Sequence, residues 1–320
     1  MTTITYRASM LIAVLMCMSF APLRSGPITF DRIVVFGASI SDPGNAFALL
    51  GEAIEPPYQE LDTFLLPDAP YATGGYHFSN GATWIEQYAK PRGLGKYVAA
   101  AFNEKNPHAM NYAVGGARAR NDGFNFNLRD QVSAFLNDVG NVAPSHALYV
   151  IDIGANDVRD ALVTGDASIL EDALKAIGAN MAALYAAGAK KFLVLNVPDL
   201  GVLPALRIAD DLCNHSCGAG FFGGVLSRIF NFNLENGVLA DIGSQPGVKI
   251  ARINLRQIVN DVMNNPAAFG LTETEAPCIG SNVAPSTCEK PDQFFFWDGI
   301  HPTKAMHGIL AQQAAVVLGQ

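Results

Sequence analysis

The 320-residue sequence has few charged side chains and no cluster of lysine and arginine. Charged residues make up 16% of the chain, and 21 basic residues face 29 acidic ones, which gives a formal net charge of −8 at pH 7. Because nucleic-acid-binding domains usually carry a basic stripe, we expect no nucleic-acid partner. An apolar fraction of 50% excludes intrinsic disorder, which requires low hydrophobicity together with high net charge.

Long apolar runs are absent outside the first 25 residues. Met1–Arg7 carries a single cation, Ala8–Leu23 is apolar, and Ser25 is a small residue suited to cleavage. This layout is typical of a secretory signal peptide, and the run is short for a membrane anchor, which is the alternative. We therefore predict a signal peptide at residues 1–25, a single mature domain at 26–320 without an integral membrane segment, and a secreted or periplasmic location.

Cysteine is scarce, with five residues in the whole chain. Cys17 lies in the predicted signal peptide, and an even number in an exported chain makes the others disulfide candidates: Cys213, Cys217, Cys278 and Cys288. Three pairings are open, of which the local one (Cys213–Cys217 with Cys278–Cys288) costs least in loop closure. A zinc site is the competing interpretation, but the pairs lack the two-residue spacing of zinc knuckles, so we expect no metal.

Strand-like and helical segments alternate after the signal peptide. Strands are predicted at Arg32–Phe36, Ala147–Ile153, Lys191–Val197 and Val248–Asn254. Helices are predicted at Ser168–Ala187 (opened by a capping box from Ser168 to Glu171), Phe221–Ile242, Leu255–Met263 and Pro302–Leu318. This alternation predicts an α/β fold with a parallel sheet covered on both faces, in which sites form at the carboxyl ends of strands.

Four motifs at these strand ends carry polar residues that an α/β core does not need. Ser39 follows the first strand, where the N–H groups of a helix start favour negative charge and suit a nucleophilic serine. Asp298 lies three residues before His301, a spacing that lets the carboxylate accept one imidazole N–H and leaves the other nitrogen as a base. The stretch Asn111–Ala117, with Gly115 and Gly116, offers unshielded backbone N–H groups, and Asn156 offers a side-chain amide; fixed donors of this kind stabilise the oxyanion of acyl transfer.

In their order along the chain, the four motifs resemble the GDSL (SGNH) family of serine esterases and lipases. The resemblance spans about Ile33 to Lys304 and includes two further stretches, Phe78–Gly81 and Val197–Gly201. It implies a flavodoxin-like three-layer α/β/α fold with a central parallel sheet of about five strands. It also implies hydrolysis of carboxylic esters, with a small-molecule or lipid ester as the substrate and no cofactor.

The resemblance further implies a role for each motif residue. Ser39 is the nucleophile, His301 the general base and acid, and Asp298 the group that orients His301. The backbone N–H groups of Ser39 and Gly116 and the amide of Asn156 form the oxyanion hole.

One position departs from the family pattern. The first motif usually reads Gly-Asp-Ser-Leu, and here Ala38 stands where the family has the aspartate. The implied triad does not use that aspartate, so we expect activity to survive. Asp42 and Asn45 match the rest of the motif and are interpreted as local scaffolding.

The natural substrate, the acyl-chain preference and the oligomeric state stay open at this point. A phospholipase or acyltransferase, or a carbohydrate O-acetylesterase, uses the same residues and is an alternative within the family. A catalytically inactive ligand-binding protein is the alternative from another class, and Ala38 is the residue that motivates it.

Overall fold

The computed structural model of the protein describes residues 27–50, 75–103, 106–279 and 288–319. The predicted signal peptide lies outside these residues. Within the described ranges, no helix combines the length and the apolar character needed to span a bilayer.

A parallel four-stranded sheet forms the centre of the molecule. Its strands, in spatial order, are β1 (Arg32–Gly37), β2 (Ala147–Asp152), β3 (Lys191–Leu195) and β4 (Lys249–Ile253). The strands are parallel because helices cross over between them. β1 and β2 pair without a bulge, with Phe36 opposite Ile151. The runs of β1, β2 and β3 are mostly apolar and buried, as expected for strands covered on both faces, whereas the edge strand β4 exposes Lys249 and Arg252.

A fifth, irregular segment lies along the free edge of β1. The N–H of Val35 donates to the carbonyl of Met110 at 2.9 Å, and the N–H of Tyr112 donates back to Val35 at 2.8 Å. In chain order this irregular segment is the second of the five and β4 is the fifth. Their spatial order along the sheet is therefore second, first, third, fourth, fifth, which is the flavodoxin-like order. This arrangement confirms the predicted fold. A separate two-stranded sheet pairs β5 (Glu273–Pro277) with β6 (Phe294–Phe296).

Helices cover both faces of the sheet. Those of the described residues are α1 (Asn45–Leu50), α2 (Trp84–Ala89), α3 (Leu128–Asp138), α4 (Ala155–Thr164), α5 (Ser168–Ala187), α6 (Pro204–Leu212), α7 (Ala219–Asn233), α8 (Leu239–Gly243), α9 (Leu255–Asn264) and α10 (Lys304–Leu318). One face packs against α3, α4, α5 and α7, and the other packs against α2, α9 and α10. Side chains of β1 alternate between the two cores, with Val34 and Phe36 on one side and Ile33 and Val35 on the other.

Two helix predictions need correction. The predicted helix Phe221–Ile242 is interrupted by a π-helical turn at Leu234–Val238, which separates α7 from α8. The helix Ser168–Ala187 has the predicted bounds, but the predicted capping box is wrong. The hydroxyl of Ser168 donates to Asp166 at 2.7 Å instead of capping the helix, and Glu171 pairs with Lys175 one turn further on at 2.7 Å.

The structure contains two disulfides, Cys213–Cys217 and Cys278–Cys288, which is the local pairing. The first joins the end of α6 to the start of α7. In the part of the chain that the structure describes, Asp210 with Cys213 and Cys217 is the only group of three potential metal ligands. Because both sulfurs are bonded to each other, they are not the thiolates that zinc requires.

Candidate active site

Ser39 lies in a single 3-10 turn, Ser39–Ser41, directly after β1. The turn begins where β1 and β2 approach closely, since a Cβ atom at Gly37 would lie 2.7 Å from the carbonyl oxygen of Asp152. The N–H of Ala38 donates to that same carbonyl at 3.1 Å. This tight turn places the half-buried Ser39 at the carboxyl end of the sheet.

The buried Asp42 holds this turn against the second motif. Its carboxylate accepts four backbone N–H groups, three of them from residues 44–46 at 2.5 to 3.1 Å. The fourth is the N–H of Gly115, which lies 2.7 Å from Asp42 Oδ2. Burial raises the pKa of Asp42 to about 6, although the four donors act against that rise. Asp42 therefore joins the Ser39 turn to Gly116, in the scaffolding role that the sequence predicts.

Asn45, also buried, extends the same scaffold. Its Nδ2 donates to the carbonyl oxygens of Asn111 at 2.7 Å and Ala113 at 2.8 Å. Its Oδ1 accepts the N–H of Phe102 at 3.1 Å. The Asn45 amide thus replaces ladder hydrogen bonds that the irregular segment along β1 lacks. It also fixes the backbone that leads to Gly116.

Asn156 lies in the first turn of α4 and is tied to the residue after Gly116. Its Nδ2 donates one hydrogen to the carbonyl oxygen of Ala117 at 2.8 Å, which leaves the second amide hydrogen for a ligand. Among the described residues, the backbone N–H groups of Ser39 and Gly116 find no acceptor. Three N–H donors at this end of the sheet are therefore available to a negatively charged oxygen.

Close packing at Gly154 sets the position of Asn156. Gly154 precedes α4 with φ of 118°, a conformation that suits glycine. A Cβ atom there would lie 2.5 Å from the ring of Phe230 on α7. The contact between α7 and the start of α4 therefore determines where the amide points.

Asp298 and His301 form a buried pair in the loop between β6 and α10. The Nδ1 of His301 lies 2.7 Å from Asp298 Oδ2, and both residues are at most 4% exposed. Asp298 Oδ1 accepts the N–H groups of Ile300 at 2.8 Å and of His301 at 2.7 Å. The carboxylate is held by the loop backbone and in turn holds the imidazole, so that His301 presents Nε2 as its free nitrogen.

Phe78 connects this pair with the second motif. Its ring lies 5.3 Å from the His301 ring, centroid to centroid, and occupies the space next to Gly115 that a side chain there would fill. The adjacent Ser79 donates to the carbonyl oxygen of Pro302 at 2.9 Å. The stretch Phe78–Gly81 resembles the family in sequence without an evident role, and the structure shows that it packs the His301 loop onto the site.

Sequence reasoning missed a buried network beneath the Ser39 turn. The hydroxyl of Ser41 donates to Asp152 Oδ2 at 2.5 Å and accepts the indole N–H of Trp84 at 2.9 Å. Burial raises the pKa of Asp152 to about 6, and the hydrogen bonds from Ser41 and Trp84 counteract part of that rise. Asp152 is the last residue of the second strand, so its position at a strand end was the available signal.

A second histidine–carboxylate pair involves His77, the residue before Phe78. His77 Nε2 is 2.7 Å from Glu86 Oε2 on α2. Burial alone would raise the pKa of Glu86, but the hydrogen bond and charge of His77 outweigh it and lower that pKa. The neighbouring His307 accepts the N–H of Trp84 at 3.2 Å, and complete burial lowers its pKa to about 3. His307 is therefore a neutral core residue, and the His77 pair anchors the Phe78 loop to α2.

The structure brings the four motifs to one edge of the sheet through shared contacts. Asp42 links the first motif to the second, Asn156 links the third to the second, and Phe78 links the fourth to the second. The hydroxyl of Ser39 makes no hydrogen bond to His301 or to another described group. In serine hydrolases without substrate this bond is often long, and it tightens when the substrate binds.

Comparisons with known proteins show the family to which the chain belongs. The model of the family described as GDSL-like Lipase/Acylhydrolase matches residues 33–314. GDSL esterase/lipase 5 of Arabidopsis thaliana is 27% identical and covers 88% of this chain and 81% of its own length. GDSL esterase/lipase At5g45670 of the same plant is 27% identical, over 91% of this chain and 89% of its own.

Solved structures resemble the chain more distantly. A putative GDSL-like lipase from Parabacteroides merdae is 14% identical with a TM-score of 0.45, covering 91% of this chain and 96% of its own. The acetylxylan esterase Axe2 from Geobacillus stearothermophilus is 14% identical with a TM-score of 0.46, covering 92% of this chain and 97% of its own.

Proposed function

Because the chain belongs to the GDSL-like lipase/acylhydrolase family and is a carboxylic ester hydrolase, we propose that it cleaves esters through an acyl-enzyme on Ser39. In this mechanism, Ser39 Oγ attacks the ester carbonyl carbon while His301 Nε2 takes the hydroxyl proton. The tetrahedral intermediate collapses, the bond to the leaving oxygen breaks, and His301 returns the proton to the departing alcohol. Water then attacks the acyl-enzyme with His301 again as base, and the carboxylic acid leaves.

Three donors support the tetrahedral intermediates. The N–H groups of Ser39 and Gly116 and the free amide hydrogen of Asn156 face the carbonyl oxygen as it becomes negative. A single donor of this kind lowers the barrier by about 3 kcal/mol, because it is already oriented before charge develops.

The observation that carries the proposal is the buried Asp298–His301 pair. Its 2.7 Å contact, with two backbone N–H groups on the other carboxylate oxygen, selects the tautomer in which Nε2 is unprotonated. Unlike the His77–Glu86 pair, which anchors the Phe78 loop to α2, this pair belongs to the fourth motif, and a histidine buried only for packing has no such carboxylate. His307 illustrates the contrast, since it is buried against a backbone N–H and is neutral.

The alanine at position 38 does not favour an inactive binding protein. The Ser39 turn is held by the carboxylate of Asp42 and by Ser41 with Asp152, so the turn has carboxylate support without an aspartate at position 38. Chemistry at Ser39 does not require that missing side chain.

We also propose that the enzyme acts after export. The two disulfides suit an oxidising compartment, and the leader-like segment at residues 1–25 provides a route to one. In this proposal residues 26–320 form one mature domain that contains all the motifs.

The decisive experiment compares wild type and Ser39→Ala on p-nitrophenyl acetate. We expect the variant to lose about 10⁴-fold or more in kcat at unchanged thermal stability. A fluorophosphonate probe should label wild type once, on the peptide that contains Ser39, and should not label the variant. Retention of near-full activity in Ser39→Ala would disprove the mechanism, and an inactive, unlabelled wild type would favour the binding protein.

A further inference from the structure

A charged side-chain network joins the second motif to α4 beside the candidate active site. The guanidinium of Arg118 donates Nε–H and Nη2–H to the two carboxylate oxygens of Asp160, both at 3.0 Å. Its third nitrogen, Nη1, donates to the carbonyl oxygen of Gly116 at 2.5 Å. Both side chains are mostly buried, with 14% and 17% of their surface exposed. Only a planar guanidinium, with donors on three nitrogens, satisfies all three acceptors at once.

The backbone around Gly116 forms a tight turn. The N–H of Ala117 donates to the carbonyl oxygen of Val114 at 3.1 Å, and Gly116 has φ of 77°. This is the pattern of a type II turn, which favours glycine at that position. Gly115 precedes it, and two consecutive glycines leave the centre of a turn with wide conformational freedom, because neither has a Cβ atom. Contacts from outside the turn therefore have to fix the peptide that carries the N–H of Gly116.

Two such contacts lie on either side of that peptide. Asp42 accepts the N–H of Gly115, which comes just before it, and Arg118 donates to the carbonyl oxygen of Gly116, which comes just after it. Among the described residues, the Gly116 N–H between them finds no acceptor. Arg118 is thus the anchor on the C-terminal side of this donor, as Asp42 is on the N-terminal side.

Asp160 connects the Arg118 anchor to α4. It lies four residues, or one helical turn, after Asn156, whose amide is another of the proposed oxyanion donors. The ion pair therefore ties the carbonyl of Gly116 to the helix that carries Asn156. Because donors stabilise an oxyanion only when they converge on the same oxygen atom, a small error in their relative position costs catalytic rate.

We propose that Arg118 is a positioning residue for the oxyanion hole, an inference that rests on the function proposed above. It acts through Gly116 and not on the substrate. By holding the Gly116 carbonyl against Asp160, it keeps the N–H of Gly116 and the amide of Asn156 directed at the oxygen that becomes negative. Its loss therefore affects the steps in which charge develops and leaves substrate binding nearly unchanged.

The test replaces Arg118 with methionine, which keeps an unbranched apolar stem but has no N–H group. With p-nitrophenyl acetate we expect kcat to fall about tenfold or more, which is less than the roughly 10²–10³-fold lost when an oxyanion donor itself is removed. The KM should change by less than about twofold. Arg118→Lys keeps the charge but cannot contact all three acceptors, so its kcat should lie between those of Arg118→Met and wild type. It also keeps the test valid if Arg118→Met fails to fold.

A second readout separates positioning from a structural role. A trifluoromethyl ketone adds to a nucleophilic serine and gives an adduct with a negatively charged oxygen in place of the carbonyl. Its inhibition constant should rise in the Arg118 variants by about the same factor as kcat falls, because both depend on the oxyanion donors. If folded Arg118→Met and Arg118→Lys keep the wild-type kcat and inhibition constant, the proposal is wrong.

Arg120→Met is the matched control. Nη2 of Arg120 donates to the same carboxylate, at 2.5 Å from Asp160 Oδ2, but its guanidinium makes no hydrogen bond to Gly116. This variant also removes a cation from the network, so urea denaturation should show a lower free energy of unfolding. Its kcat should stay within about twofold of wild type. A loss of kcat equal to that of Arg118→Met would assign the effect to the network as a whole and overturn the proposal.

Asp160→Asn tests the connection to α4. If Arg118 acts through Asp160, the asparagine variant lowers kcat by itself and adds little to the loss in Arg118→Met, because members of one network are not additive. Fully additive losses in the double variant would show that the two residues act separately, which contradicts the proposal.

Failure of the positioning role and failure of the proposed mechanism are distinguishable. If Ser39→Ala abolishes hydrolysis while the Arg118 variants keep the wild-type kcat, the mechanism stands and the positioning role is wrong. If Ser39→Ala remains active, the mechanism itself is wrong, whatever the Arg118 variants do.

Discussion

The carboxylate of Asp42 accepts the N–H of Gly115 at 2.7 Å, although 73 residues separate the two along the chain. Through this contact, one buried side chain sets the distance between the turn of Ser39 and the N–H of Gly116. The proposed nucleophile and one proposed oxyanion donor therefore depend on a group that has no part in the proposed chemistry.

Replacing Asp42 should therefore damage both stability and catalysis. Asp42→Ala leaves four N–H groups, three of them buried, without their acceptor, and we expect the free energy of unfolding to fall by about 3 kcal/mol or more. The kcat for p-nitrophenyl acetate should fall at a temperature where the variant is still folded. Urea denaturation and steady-state kinetics measure the two effects. Asp31→Ala, at an exposed aspartate beside Arg32, is the control and should change neither quantity.

Asp152 should make stability depend on pH in the opposite sense to an ordinary acidic residue. Its native pKa of about 6 lies above the ordinary value, so the native state binds the proton more tightly than the unfolded chain. The stabilisation is complete below about pH 4 and is lost as the pH rises through 6. Asp152→Asn keeps an acceptor for Ser41 but cannot titrate.

Urea denaturation of wild type and Asp152→Asn at pH 5, 6 and 7 tests this expectation. The difference in unfolding free energy between pH 5 and pH 7 should change by about 1 kcal/mol in the variant, with wild type gaining more on acidification. Identical pH profiles for the two proteins would show that Asp152 does not titrate in this range. Asp42 and Asp157, whose pKa values burial also raises to about 6, contribute the same trend to both proteins and cancel.

Asp298→Asn should lower kcat by about 10⁴-fold with little change in fold. The amide can donate to His301 Nδ1, which then stabilises the tautomer that carries its proton on Nε2 and cannot act as a base. Steady-state kinetics on p-nitrophenyl acetate measure the effect. Asp292→Asn, at an exposed aspartate paired with Lys304 at 3.6 Å, should retain wild-type kcat. A comparable loss in both variants would point to a nonspecific cause.

Gly154→Ala should impair the enzyme more than Gly165→Ala does. Both glycines have positive φ and flank α4, so both substitutions cost about 1 kcal/mol of backbone strain. At Gly154 the new Cβ also collides with Phe230, whereas at Gly165 it meets open space. We expect Gly154→Ala to lose kcat as well, because Asn156 must move with α4. The double variant Gly154→Ala with Phe230→Leu should recover part of that kcat, and no recovery would argue against the collision.

The sequence predicts the candidate site residues because each motif is local. Ser39 follows an apolar strand, Asp298 and His301 are three residues apart, and each motif is recognisable without its neighbours. The parallel sheet was likewise predictable, since apolar strands alternate with helices. The boundary between α7 and α8 was not, because a π-helical turn leaves no break in the apolar pattern.

The contacts between motifs were decided by the tertiary structure. Asp42 with Gly115, Phe78 with His301, and Ser41 with Asp152 join residues that are 73, 223 and 111 positions apart. Composition and periodicity carry no information about such pairs, because they arise only when the strand order brings distant loops to one edge of the sheet.

The sequence by itself determined the family, the fold class and the chemical groups of the candidate site. Each of these can be identified from short motifs or from the local pattern of apolar residues. The relative positions of those groups and the raised pKa of Asp152 came from the folded chain alone. The physical reason is that burial and contact depend on what the rest of the molecule places around a residue.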